Sequence, residues 1–116
     1  MKHLTLVIIA AAILFACKGK QKSEKSAEAF SPGDKELAVA QKTWPNTTLE
    51  ELKEGNSIYR NQCTECHKNF EITKFSEKKW KHEIDEMAPK AKLTAEQKDK
   101  LTKFILSYRE ANTVTK

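Results

Sequence analysis

The chain has 116 residues, of which 39% are hydrophobic and 32% charged, and it carries a formal net charge of +5. That excess is spread thinly: Lys2 supplies one charge, residues 18–47 hold six lysines against four acids, and residues 48–116 hold fourteen basic against twelve acidic side chains. With no arginine-rich or aromatic-interleaved patch, a nucleic-acid surface is excluded and an ordinary solvated exterior is left.

Met1-Lys2-His3 gives the chain a positive start, and residues 4–16 follow as thirteen residues that are apolar except for Thr5. At about 1.5 Å per residue, a helix of that length falls well short of the roughly 30 Å hydrocarbon core of a bilayer. The stretch therefore reads as the apolar region of an export signal. Its end, Leu14-Phe15-Ala16-Cys17, resembles a bacterial lipoprotein signal. That resemblance implies cleavage after Ala16 and a lipid on Cys17 that holds the protein to the periplasmic side of a membrane. The alternative is an ordinary signal peptide with a stray cysteine. Lipidation also accounts for the odd member of a set of three cysteines. Lys18 stands where inner-membrane retention in some bacteria is associated with aspartate, which points to the outer membrane.

Residues 17–43 are rich in Lys, Glu, Ser, Ala and Gln and are interrupted by Ser31-Pro32-Gly33. So few large apolar side chains predict a mostly disordered tether, with at most a helical turn at Leu37, Ala38, Val39 and Ala40. Residues 44–116 are expected to form one small domain. Within it, Thr48-Leu49-Glu50-Glu51 is a capping box that predicts a helix running to about Asn61. Leu49, Leu52, Gly55 and Tyr59 share its apolar face. Glycine inside a helix costs about 1 kcal/mol relative to alanine, so Gly55 predicts that another helix crosses here at close range.

Next comes Cys63-Thr64-Glu65-Cys66-His67. This is a Cys-x-x-Cys-His run, the attachment signature for c-type haem. Two thiols one turn apart can add to the two vinyl groups of the ring and hold it by thioethers. His67 then directs its imidazole to the iron as proximal ligand.

A second helix is expected from Ser76 to Met87. Trp80, Ile84 and Met87 lie within about 60° of one another on it, with His82 roughly opposite. Ala88 precedes Pro89 and is biased away from helical geometry, which places Met87 at the helix end with its thioether free to reach an iron. Lys68, Lys74, Lys78, Lys79 and Lys81 surround the motif and could steer an acidic redox partner. Thr94-Ala95-Glu96-Gln97 is another capping box, opening a helix to about Glu110. Its stripe of Leu101, Phe104, Ile105 and Tyr108 reads as core. A domain of about seventy residues is marginal on its own hydrophobic core, and a covalent haem would supply an apolar centre.

The order of a Gly55-containing helix, the haem motif, Met87 and a C-terminal helix resembles the class I cytochrome c family. Gly55-Asn56-Ser57-Ile58-Tyr59 is similar to that family's N-terminal helix, and Leu101-Thr102-Lys103-Phe104-Ile105 to the C-terminal helix that crosses it. The resemblance covers about residues 48–112. It implies an all-α fold around one covalent haem c, His/Met ligation, and electron transfer to redox partner proteins, as a carrier or as the cytochrome subunit of a larger redox enzyme. It also implies export, because haem is attached outside the bacterial cytoplasm in this family. The chain departs from the pattern in three places. Only twenty positions separate His67 from Met87. Lys68-Asn69-Phe70-Glu71 stands where a proline-containing loop often supports the proximal histidine. The familiar Met-Pro pair is here Met87-Ala88-Pro89.

Met87 is the expected sixth ligand, being the methionine that remains after signal removal; His82 and an open site are the alternatives. Three functions follow from these choices. A one-electron carrier keeps both ligands, whereas a ligand-binding, sensing or catalytic haem protein needs an open or displaceable sixth position. A thiol oxidoreductase or zinc site would need a βαβ setting or a fourth good ligand, and the helical pattern supplies neither.

Overall fold

The structure is a computed structural model that describes residues 31–63 and 70–113. The signal segment, Cys17, Cys66, His67 and Lys68 lie outside the described residues. The described chain is all-α: α1 (Asp34–Thr43), α2 (Leu49–Asn61), a 3₁₀ turn (Ile72–Lys74), α3 (Glu77–Lys90) and α4 (Ala95–Asn112).

Both capping boxes form. Thr48 Oγ1 accepts from Glu51 N at 3.2 Å while Thr48 N donates to Glu51 Oε2 at 2.8 Å. At α4, Thr94 Oγ1 accepts from Gln97 N at 3.1 Å and Thr94 N donates to Gln97 Oε1 at 2.9 Å. Such reciprocal pairs satisfy N–H groups that the first turn of a helix leaves without partners.

The frame of the domain is the pairing of α2 with α4, its most extensive helix contact. Gly55 sits at the crossing, where a Cβ would lie 2.7 Å from Phe104 Cβ and closer still to the Lys100 carbonyl. Only a residue without a side chain lets the two backbones approach this far, as the sequence predicts. Leu52, Phe104 and Ile105 are essentially without exposure around it. At its edge, Lys100 Nζ lies 2.5 Å from Glu54 and 2.7 Å from Glu96, and Lys103 Nζ lies 2.7 Å from Asp99.

Two sequence expectations need correction. Residues 34–43 are not tether: they form α1, which lies against α4. The cause is a long-range pairing that local composition does not reveal. Glu36 is 7% exposed. Its carboxylate accepts from Gly33 N at 2.8 Å, capping its own helix, and from Asn112 Nδ2 at 2.8 Å on the last turn of α4. Ala40, one turn further along that face, is fully buried. A small side chain and a satisfied carboxylate thus replace the large apolar residues this helix lacks.

The second correction concerns the end of α3, which runs through Pro89 to Lys90 instead of stopping at Met87. Proline so near a C-terminus forfeits one bond to the preceding turn, and burial of Ala88 holds its backbone helical despite the proline that follows. The actual stop is a Schellman closure. Leu93 N donates to Ala88 O at 3.0 Å and Lys92 N to Pro89 O at 3.1 Å, with Lys92 at φ 54°.

Candidate cofactor cleft

A cleft of about 350 Å³ opens between α2, α3, α4 and the segment that carries the 3₁₀ turn. Its lining is mostly apolar, including Trp80, Ile84, Leu101 and Ile105, and it contains two sulfur groups, the thiol of Cys63 and the thioether of Met87. The volume falls within the roughly 300–1,000 Å³ typical of small-molecule and cofactor sites.

Cys63 reaches the cleft because α2 ends just before it: Gln62 N and Cys63 N both donate to Ile58 O, at 2.9 and 3.4 Å, closing the last turn. Burial pushes the Cys63 thiol above its ordinary value, so it stays protonated at neutral pH. Met87 reaches the cleft from α3, on the same stripe as Trp80 and Ile84. The buried Trp80 and Ile84 turn that stripe inward, so Met87 faces the cleft even though the helix does not end there. His82 is exposed and does not line the cleft.

The wall opposite the α2–α4 frame is built around residues 70–75, where three helices each donate a side-chain hydrogen bond to a backbone carbonyl. Tyr59 OH of α2 donates to Phe70 O. Trp80 Nε1 of α3 donates to Ile72 O at 2.7 Å, and Arg109 Nε of α4 donates to Phe75 O at 2.6 Å. Burial raises the Tyr59 phenol well above its usual range, with the neighbouring Cys63 adding to the shift, so it remains a donor at any ordinary pH. Ile72 is fully buried beneath this triple clamp. The rings continue the same contacts: Phe70 to Phe75 and Phe75 to Trp80 at 5.5 Å, Trp80 to Tyr59 at 6.1 Å, each edge to face. Such pairs add roughly 0.5–1.5 kcal/mol beyond the area they bury.

Tyr59 is expected from the sequence as a face residue of α2, but not as a clamp. Phe70, Phe75 and Arg109 carry no sequence signal for the cleft at all. Phe70, Phe75 and Trp80 recur every five residues, a spacing that matches neither a helix nor a strand.

At the rim Lys79 and Glu83 pair at 2.5 Å, and this hydrogen bond holds the Glu83 carboxyl below its ordinary range. The lining is largely apolar, with one sulfur group from the end of α2 and one from α3. Among the described residues no three His, Cys, Asp or Glu side chains converge as a metal site, and no helix is long and apolar enough to cross a membrane. No family model matches the chain, and no curated protein or solved structure matches it either.

Proposed function

We propose that this chain is a monohaem c-type cytochrome of the class I kind and works as an electron carrier. One observation carries the reading: Cys63, the first residue of the Cys-x-x-Cys-His motif, and Met87, the expected sixth ligand, line the same apolar cleft. Residues 70–75, which lie between them in the chain, are held by side chains of three different helices, and Met87 comes from a helix of its own.

In this reading Cys63 and Cys66 hold haem c covalently, His67 is the proximal ligand and Met87 the distal one. When bound, haem supplies a one-electron couple, and a thioether ligand raises its potential relative to bis-histidine ligation. The chain's own residues do the rest. Ile84, Leu101 and Ile105 exclude water from the cleft. Trp80 and Tyr59 fix the wall that covers it. The exclusion of His82 from the lining favours Met87 over that histidine as ligand. Cys17 carries the lipid that holds the domain at the periplasmic side of a bacterial membrane, and redox proteins are its partners.

A haem stain on a denaturing gel tests covalent attachment, since only thioether-bound haem stays with the chain. The spectrum of the reduced protein with and without carbon monoxide then tests the ligand set. An unchanged spectrum supports a retained Met87, whereas a new carbonyl spectrum moves the function to ligand binding or catalysis. Met87→Ala is expected to keep covalent haem, lower the potential and open the iron to added ligands. Unchanged ligand-field bands in that variant reject Met87.

A further inference from the structure

The ring contacts of this domain form one unbroken run, Phe70–Phe75–Trp80–Tyr59–Phe104–Tyr108, and only part of it lines the cleft. Tyr59 and Trp80, with centroids 6.1 Å apart, belong to the cleft wall. From Tyr59 the run leaves that wall: Phe104 follows at 6.2 Å, and Tyr108 lies 5.7 Å beyond it. Phe104 is fully buried, whereas Tyr108 is partly exposed and stands outside the lining. Each step falls within the roughly 4.5–7 Å at which aromatic rings interact. A continuous ring path thus joins the cleft to the surface of α4.

Trp80, Tyr59 and Tyr108 are the members of this path that can give up an electron. They differ in what surrounds the proton that an oxidised phenol or indole releases. Tyr59 OH donates to Phe70 O, and Trp80 Nε1 donates to Ile72 O at 2.7 Å. A main-chain carbonyl accepts a hydrogen bond but does not take the proton itself. Tyr108 is placed otherwise. Asn112 Nδ2 donates to both Tyr108 O and Glu36 Oε1, each at 2.8 Å, which fixes the Glu36 carboxylate beside this tyrosine. Burial raises the Tyr108 phenol, and the charges of Glu36 and Glu71 add to the shift. Of the three rings, it is Tyr108 that has carboxylates beside it as bases.

Resting on the electron-carrier reading, we propose that these rings are an escape route for oxidising equivalents, along which an electron drawn from Tyr108 helps to reduce a peroxide that reaches the cleft. Hydrogen peroxide breaks at its O–O bond, takes up two electrons and two protons, and leaves as two waters. One electron comes from ferrous haem and the other from Tyr108. One proton comes from the Tyr108 phenol by way of a neighbouring carboxylate, and the second from solvent. The products are ferric haem, a neutral phenoxyl on Tyr108 and water. Oxidation is thereby moved to a ring outside the cleft, while Tyr59 and Trp80 keep their protons and their hold on residues 70–75.

The test mixes the fully reduced, haem-loaded full chain with hydrogen peroxide. Frozen samples are expected to show a tyrosyl signal by electron paramagnetic resonance. A nitroso spin trap added to the same mixture is expected to mark Tyr108 in the peptide mass map. Tyr108→Phe keeps the ring but removes the oxidisable phenol. That variant should lose both the tyrosyl signal and the adduct at residue 108, and its haem absorption should bleach faster than that of the unaltered protein. In the unaltered protein, an adduct at Tyr59 or Trp80 instead of Tyr108, or no organic radical at all, overturns the route and leaves the carrier reading in place. Equal bleaching of Tyr108→Phe and the unaltered protein does the same. Absence of covalent haem overturns both.

Discussion

The two halves of this domain are held together by different means. Where α2 crosses α4, backbone meets backbone over Gly55, and the fit tolerates no added atom. Across the cleft, residues 70–75 make no comparable helix-to-helix contact, and they are hung from Tyr59, Trp80 and Arg109 by bonds to their carbonyls. Close packing resists any change in volume, whereas a hydrogen-bonded strap resists a change in position but leaves the space beneath it open. The cleft lies between one wall fixed in volume and one fixed in position.

Four substitutions separate these behaviours, in decreasing order of expected effect. Gly55→Val places side-chain atoms into the Lys100 carbonyl and Phe104, and is expected to lower stability by about 3 kcal/mol, read as an earlier urea midpoint. A near-neutral result would mean that the helices slide apart cheaply and that the crossing is not the frame. Trp80→Phe keeps most of the ring but orphans the buried Ile72 carbonyl, at a cost of about 1–2 kcal/mol. Its mark should be local, with amide exchange in residues 70–75 rising more than in α2 or α4. Uniform acceleration across the domain would show the strap to be part of the frame.

Lys92 lies outside both walls and supplies a control of opposite sign. It occupies the left-handed position of the α3 stop, so Lys92→Gly should raise stability by about 1 kcal/mol without touching the cleft. Thermal unfolding would reveal this as a higher midpoint. The smallest effect is that of pH on the frame. The Thr48 N–H bond, followed by the neighbouring Lys103, lowers the Glu51 carboxyl from its ordinary value of 4.5. A carboxylate depressed in the folded state contributes stability above that value and loses it as pH falls through the folded pKa. Glu51→Gln should therefore narrow the gap between thermal midpoints measured at neutral pH and below pH 4.5, and an unchanged gap would remove Glu51 from the account.

What the sequence made legible was local or short-range. Thr48 with Glu51 and Thr94 with Gln97 announce their helices because each capping box closes within four residues. Gly55 is legible for a different reason, since a glycine retained inside a helix has few explanations other than a close neighbour. The docking of α1 was hidden because Glu36 finds its partner Asn112 seventy-six residues away. Read locally, a glutamate among lysines and serines looks solvated. The strap was hidden for a related reason. Its acceptors are main-chain carbonyls, which every residue possesses, so nothing in the identities of Phe70, Ile72 or Phe75 marks them as held. Of the candidate site, Cys63 and Met87 could be named from the sequence. That Tyr59 and Trp80 shape the wall between them could not.

The seating of α1 has a mechanical consequence. Its first turn is fastened through Glu36 to the last turn of α4, so any pull arriving along the chain before residue 31 is passed into the longest helix of the domain. From there it spreads through the α2–α4 crossing, the part of the molecule least able to deform. Arg109, one turn before Asn112 on the same helix, holds the Phe75 carbonyl, so the same pull also reaches the strap that walls the cleft.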